Sequence, residues 1–287
     1  MCPNSGFPDL QVKLFDEAFK EYGFDGLYLD GPAASLPCNN MEHGCGYVGK
    51  DGKPHQTMPI WKPRETMKRL WRMVKSQPRP CIIVGHTSGS LTLPILSFVD
   101  KYLDGEHLLG WRKIGTDEYP EDILRAEMSG HNFGIPALQL PLRERTDAEQ
   151  ERARTLCLLY DALMEWSPQS TWDIWRAYDS FGMDKVKWIP FWRSDGLASC
   201  GDSDVRISAY LDKGRGALFV VANLGTEEAK VELVVKRSGL GLKAGRGLRA
   251  RDEAEGTDIE MSDDKVALTV KPGTFRLISI QAEKRKD

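Results

Sequence analysis

Between residues 9 and 22, DLQVKLFDEAFKEY repeats apolar side chains at helical spacing: Leu10, Leu14, Phe15, Ala18, Phe19 and Tyr22. Asp9, after Pro8, is placed to cap the start of this helix, and Gly23 to end it. FDGLYLDGP then reads as a short buried strand closing at Asp30-Gly31-Pro32. The helix–strand step recurs. A polar, Gly-rich loop over about 33–58 leads into PRETMKRLWRMVKSQ, a helix with Pro63 near its first turn. PCIIVGHTS follows as a strand ending in His86, Thr87 and Ser88. LTLPILSFVDKY reads as helix, and KYLDGEHL as a strand end carrying Asp104 and Glu106. Residues 109–134 form a long loop with a short helix at PEDILRAEM, and IPALQLPL is a further strand. The helices DAEQERARTLCLLYDALMEW and WDIWRAYDSFG close this half, with Trp166, Trp172 and Trp175 expected in the core.

From about 186 the period changes. VKWIPFW, DVRISAYL, GALFVVANLG, AKVELVV, KVALTV and TFRLISI are short β-branched or aromatic runs separated by turn residues, which predicts an antiparallel β-sandwich. The Gly-rich, basic stretch 238–256 reads as a long loop plus one edge strand. Alternating buried strands and helices before it predict a parallel α/β sheet, doubly wound or barrel. Neither GxGxxG nor GxxxxGK[ST] follows any strand, which weakens a nucleotide-binding reading. Polar and acidic residues sit at the carboxyl ends of the strands, where a barrel places its chemistry. The fold class expected is α/β: the C-terminal part of a (β/α)8 (TIM) barrel over residues 1–190, followed by a β-sandwich over 191–287.

Composition narrows the function classes. A net charge of −3 gives no basic surface for nucleic acid, and no apolar run approaches the roughly 20 residues that span a bilayer. MCPNSGFPDLQ has neither a basic nor an apolar leader segment, so no signal peptide is expected in it. The six cysteines contain no paired CxxC, so no structural zinc, and no metal or cofactor, is expected. Cys38 and Cys45 flank a loop containing His43, either as a loop disulfide in an exported protein or as reduced thiols.

The candidate chemistry is carbohydrate cleavage, which needs two carboxyl groups at one mouth. Asp30 ends one strand, and Asp104 and Glu106 end the strand two positions later, so Asp30 with Asp104 or Glu106 is the expected catalytic pair. Each acid also has a plainer reading: turn chemistry for Asp30 and Asp104, a solvated charge for Glu106. Candidate substrate-binding residues are His86 and Thr87 at the second strand end, His107 beside Glu106, His43 and Tyr47 on the loop after Asp30, and Trp111 as a stacking platform. A Ser-His-Asp hydrolase is disfavoured, since no GxSxG elbow is present.

FDGLYLDGP, the HGCGY loop, HTSG followed by LPILSFVDKYLDGEH, and the WIPFW-to-LISI sandwich resemble (β/α)-barrel glycoside hydrolase-like proteins grouped with glycoside hydrolase family 123. The plan is also similar to α-galactosidase- and fucosidase-type barrels. The resemblance implies a glycosidase acting on a carbohydrate outside the cytoplasm, with retention of configuration. Family 123 enzymes proper cleave N-acetyl-β-galactosaminides with an adjacent Asp-Glu pair. Here Asp104-Gly105-Glu106 stands instead, so that mechanism is not carried over. A full barrel has eight strand–helix units, whereas four strands, near 27–30, 81–86, 101–107 and 136–141, precede the sandwich. Met1 is therefore expected to be internal to a longer protein, with a missing half-barrel or a second copy completing the sheet. The alternatives are a non-catalytic carbohydrate-binding protein of the same fold, or a polysaccharide lyase with His86 or Tyr47 as base.

Overall fold

A computed structural model describes residues 1–32, 36–87, 91–105, 120–140, 146–164, 171–243, 245 and 247–283. In chain order the elements begin with α1 (Phe7–Tyr22), β1 (Gly26–Asp30), β2 (Tyr47–Val48), β3 (Pro54–His55), α2 (Trp61–Lys75), β4 (Ile82–His86), α3 (Leu93–Leu96), β5 (Lys101–Asp104), α4 (Glu121–Met128) and β6 (Ala137–Gln139). They continue with α5 (Asp147–Leu159), β7 (Leu163–Met164), α6 (Thr171–Phe181), β8 (Lys187–Ile189), β9 (Ala198–Ser199), β10 (Val205–Asp212), β11 (Gly216–Asn223), β12 (Ala229–Val235), α7 (Arg237–Leu240), β13 (Leu248–Asp252), β14 (Thr257–Ile259), β15 (Lys265–Val270) and β16 (Phe275–Ala282). Among the described residues, no helix is long and apolar enough to cross a membrane.

The chain packs as two units, Met1–Leu109 with His131–Leu140, and Gly110–Gly130 with Pro141–Asp287. In the first, β1, β4, β5 and β6 run parallel in that order. The helix expected over 91–102 shrinks to Leu93–Leu96, because the chain enters β5 at Lys101. Along β1 burial alternates: Leu27 and Leu29 are buried, and Tyr28 and Asp30 are exposed. The adjoining strands extend the covered face with Ile83, Gly85, Tyr102 and Ala137.

In the second unit, a six-stranded sheet (β14-β13-β16-β11-β10-β8) and a three-stranded sheet (β15-β12-β9) form the expected sandwich. Phe219, Val221, Ile278 and Ile280 from the larger sheet pack against Val231, Leu233, Val266 and Leu268 from the smaller. The larger sheet's other face carries Leu218, Val220, Tyr210 and Leu277, which pack on Leu158 of α5 and on Ile174, Ala177 and Phe181 of α6. Strand β11 is therefore buried throughout, which explains its unbroken apolar run GALFVVAN. This packing gathers α5 and α6 with the sandwich.

Three local expectations change. Strand β13 lies between β14 and β16 and is not an edge. Helix α6 buries Thr171, Ile174, Ala177 and Phe181, and this phase turns Trp172 (63 % exposed) and Trp175 (52 %) outward, against the expectation that they are core. Trp166 lies outside the described residues. Helix α5 starts with a capping box between Thr146 and Glu149. It ends at Leu159, short of the run to Trp166, because Asp161 takes a left-handed φ of 57°.

Two substitutions test this packing. Phe219→Ala should lower unfolding free energy by about 3–5 kcal/mol by opening a cavity between the two sheets. Retained midpoints in urea would contradict a fully packed sandwich core. A buried relay runs from Tyr178 Oη to Tyr210 Oη (3.0 Å) and from Tyr210 O–H to Asp161 Oδ1 (2.9 Å). Burial raises the titration of both phenols far above the ordinary tyrosine range, so both stay protonated and Tyr210 remains a donor. Tyr210→Phe should destabilise by about 1.5–3 kcal/mol, the range for a hydrogen bond to a charged group. An unchanged melting temperature would remove that role.

Candidate active site

Register decides which side chains meet at the strand ends. Asp30 pairs with His86 between β1 and β4, and His86 pairs with Leu103 between β4 and β5. Paired residues of neighbouring strands share a face, so Asp30 and His86 stand together, with Tyr28 one step back beside Val84. Two backbone bonds hold this edge: Gly31 N–H to His86 O at 3.0 Å, and Thr87 N–H to Leu103 O at 2.8 Å.

His86 Nδ1 lies 2.7 Å from Tyr28 Oη and 3.2 Å from Asp30 Oδ1. The imidazole is buried while the Asp30 side chain is 80 % exposed. A proton on Nδ1 can be shared between the phenol and carboxylate oxygens. A proton on Nε2 would instead set the Nδ1 lone pair against the carboxylate. Electrostatics favours the first tautomer whenever Asp30 is ionised. His86 thus orients one side of Asp30, and the rest of the carboxylate is open to a ligand. Asp30, Gly31 and Pro32 also line a cavity of about 350 Å³ with Phe7, Gln11 and Thr66 from α1 and α2, and with Met1 and Pro3.

Asp104 is placed differently. It pairs with Gln139, one position beyond the Leu103–Leu138 pair, and the pleat turns it to the face opposite Asp30 and His86. It is fully buried, and its Oδ1 accepts the Gly105 N–H at 2.7 Å. The expected pairing of Asp30 with Asp104 across a cleft is therefore not formed. Gly105, at φ 110°, ends the extended alternation, and a Cβ there would meet Gln139 Oε1 at 2.8 Å. Glu106, His107 and Trp111 lie outside the described residues, as does Ser88. Thr87 is buried, and its hydroxyl donates to Leu103 O at 3.3 Å, so it braces β5.

His43 and Tyr47 do not line the Asp30 cavity. Tyr47 is exposed and stacks on His55, with ring centroids 5.2 Å apart. His55 Nε2 contacts Asp51 at 3.0 Å, and this hydrogen bond holds the Asp51 carboxyl below its ordinary range. His43 Nε2 instead lies 3.2 Å from Cys38 Sγ. The missing CxxC pair points away from a metal, yet folding gathers one ligand atom each from Cys2, Cys38, His43 and Cys45 within 4.8 Å of one another. Cys38 and Cys45 are unbridged. Burial, with Cys2 and Cys38 alongside, pushes the Cys45 thiol up to about 11. The overlooked signal was Cys-x4-His-x-Cys over 38–45, completed by Cys2 from a distant segment.

Solved structures share this fold. The chain is similar to a GH27 β-L-arabinopyranosidase from Geobacillus stearothermophilus, at 12% identity and a TM-score of 0.59 over 99% of this chain and 63% of that one. An α-amylase from Anoxybacillus matches at 11% identity and 0.56, over 98% of this chain and 64% of that one. Mortierella vinacea α-galactosidase I matches at 11% identity and 0.54, over 97% and 72%. The chain spans less than two thirds of the first of these relatives' length. No curated protein sequence matches it. Residues 169–281 match the family described as Glycoside hydrolase 123, C-terminal domain. By this domain, the carboxyl-terminal part of the chain groups with glycoside hydrolase family 123.

Proposed function

We propose that the chain is part of a glycoside hydrolase in which Asp30 is one of the two carboxyl groups that flank the scissile bond. The observation carrying this reading is the exposed Asp30 carboxylate set on the buried His86 at the carboxyl end of a parallel strand. That is the position from which barrel enzymes act, and the family 123 match and the glycosidase folds support the same class. A carboxylate held on one oxygen and open on the other suits attack on an anomeric carbon or activation of water. His86 holds its orientation through Nδ1, and Tyr28 holds His86 through the same nitrogen.

Glu106 is the second acid in this proposal. Asp104 faces away from Asp30 and binds the Gly105 backbone, so its role is to position the turn that carries the chain into Glu106. A carbohydrate is the proposed substrate, and retaining or inverting chemistry follows from the separation of the two carboxyl groups, about 5–5.5 Å or about 6.5–9.5 Å respectively.

A panel of aryl glycosides assayed with the full-length protein tests this. Asp30→Asn and Glu106→Gln should each lower kcat by about 10²–10⁴-fold at unchanged melting temperature. Asp104→Asn should mainly lower stability, by about 1–3 kcal/mol. Full turnover in Asp30→Asn would sink the assignment. Sugar binding by the unaltered protein without turnover would instead make the chain a carbohydrate-binding module.

A further inference from the structure

We propose that Cys2, Cys38, His43 and Cys45 form a tetrahedral Cys3His site for a structural zinc ion, fastening the segment before α1 to the loop between β1 and α2. A tetrahedral centre with Zn–S of about 2.3 Å and Zn–N of about 2.0 Å separates its ligand atoms by roughly 3.5–3.8 Å. Here Cys2 Sγ and Cys45 Sγ are 3.5 Å apart, and Cys38 Sγ and His43 Nε2 are 3.2 Å apart. All four ligand atoms lie within 4.8 Å of one another, so a small rearrangement admits the ion. Three sulfurs and one imidazole are the donor set of closed zinc sites and do not suit calcium or magnesium.

The loop is built to hold these donors. Cys38 is clipped to Thr57 by two backbone bonds of 2.9 Å. Asn40 Oδ1 caps the Met41–His43 turn by accepting the Glu42 N–H at 2.9 Å, and Cys45 N–H returns to Asn40 O at 3.1 Å. Gly46 sits at φ 79°, where a Cβ would come within 2.8 Å of both the Asn39 Cα and the His55 carbonyl oxygen. Only glycine lets the chain turn there immediately after Cys45. Outside the donors, Asn4 Nδ2 donates to Cys45 Sγ at 3.3 Å, the kind of contact that stabilises a zinc thiolate.

A disulfide explains less. The Cys2–Cys45 sulfurs are 3.5 Å apart, whereas a bond requires about 2.05 Å, and such a bond would leave Cys38 and His43 facing each other without purpose. Binding involves no redox change: three thiol protons leave to solvent as three zinc–sulfur bonds form. The site also fixes part of the cavity wall. Cys2 lies between Met1 and Pro3, which line it together with Asp30.

The full-length protein, purified under reducing conditions, should retain stoichiometric zinc by elemental analysis. Cobalt exchanged into it should give the intense visible bands of tetrahedral thiolate coordination. Cys38→Ser and Cys45→Ser should lose at least about nine tenths of the metal, as removal of a ligand demands, while Cys81→Ser, outside the cluster, keeps it. If the ligand variants fail to fold, the unaltered protein decides: chelation should lower its melting temperature and zinc alone should restore it. Metal-free reduced protein that does not take up added zinc overturns the site. So does a Cys2–Cys45 disulfide in unreduced peptide maps, or cobalt lacking thiolate bands.

Discussion

Parallel pairing of Gly26–Asp30 with Ile82–His86 is the constraint on which the first unit depends. Side chains alternate across a sheet with a period of two, so the register that buries Leu27, Leu29 and Ile83 also sends Tyr28, Asp30 and His86 to the opposite face. A slip of one residue would exchange Asp30 for Leu29 and remove the site while burying a carboxylate. The apolar face thus protects the chemistry: the energy that holds the helices on the sheet also selects which acid is presented. Tyr28 and Ile82 remain 49 % and 44 % exposed on that open face, the side that a closed barrel fills with its interior layers.

The same parity argument separates the acids. Leu103 stands in the row of Asp30 and His86, so its successor Asp104 must face away. Asp104 is fully buried and accepts the Gly105 N–H, which ties its carboxylate to the geometry of the strand end. Gly105, at φ 110°, then ends the extended alternation. Asp30 and Asp104 look alike in the amino-acid sequence, since each ends an apolar run and precedes glycine. Only the register between strands distinguishes them.

Much of the fold was legible for the reason that parity matters: burial writes periodicity into the chain. The parallel strands, the paired alternation of β12 and the doubly buried β11 all follow from apolar spacing. Phase errors arose where large aromatics misled. Residue type alone points Trp172 and Trp175 inward, but Ile174, Ala177 and Phe181 set the buried stripe of α6. The end of α5 at Leu159 is not marked by a glycine or proline, since the left-handed residue there is Asp161, whose carboxylate accepts the Tyr210 hydroxyl from far along the chain. The sulfur cluster was hidden for a similar reason. Its ligands come from two segments that a local CxxC pattern cannot join.

The two features of the first unit meet at residues 1–3. Helix α1 leaves this segment through Phe7, and the loop carrying Cys38, His43 and Cys45 leaves β1 just beyond Asp30. A segment of this kind, before the first helix turn, has little apolar surface of its own to hold it and loses conformational entropy when it is ordered. Cross-linking through Cys2 supplies the missing constraint at the point where Met1 and Pro3 complete the cavity wall beside Asp30. Hydrophobic burial can fix a strand or a helix, since both present continuous faces. A short polar loop and the segment before α1 present none, and there a shared ion among four side chains does what packing cannot.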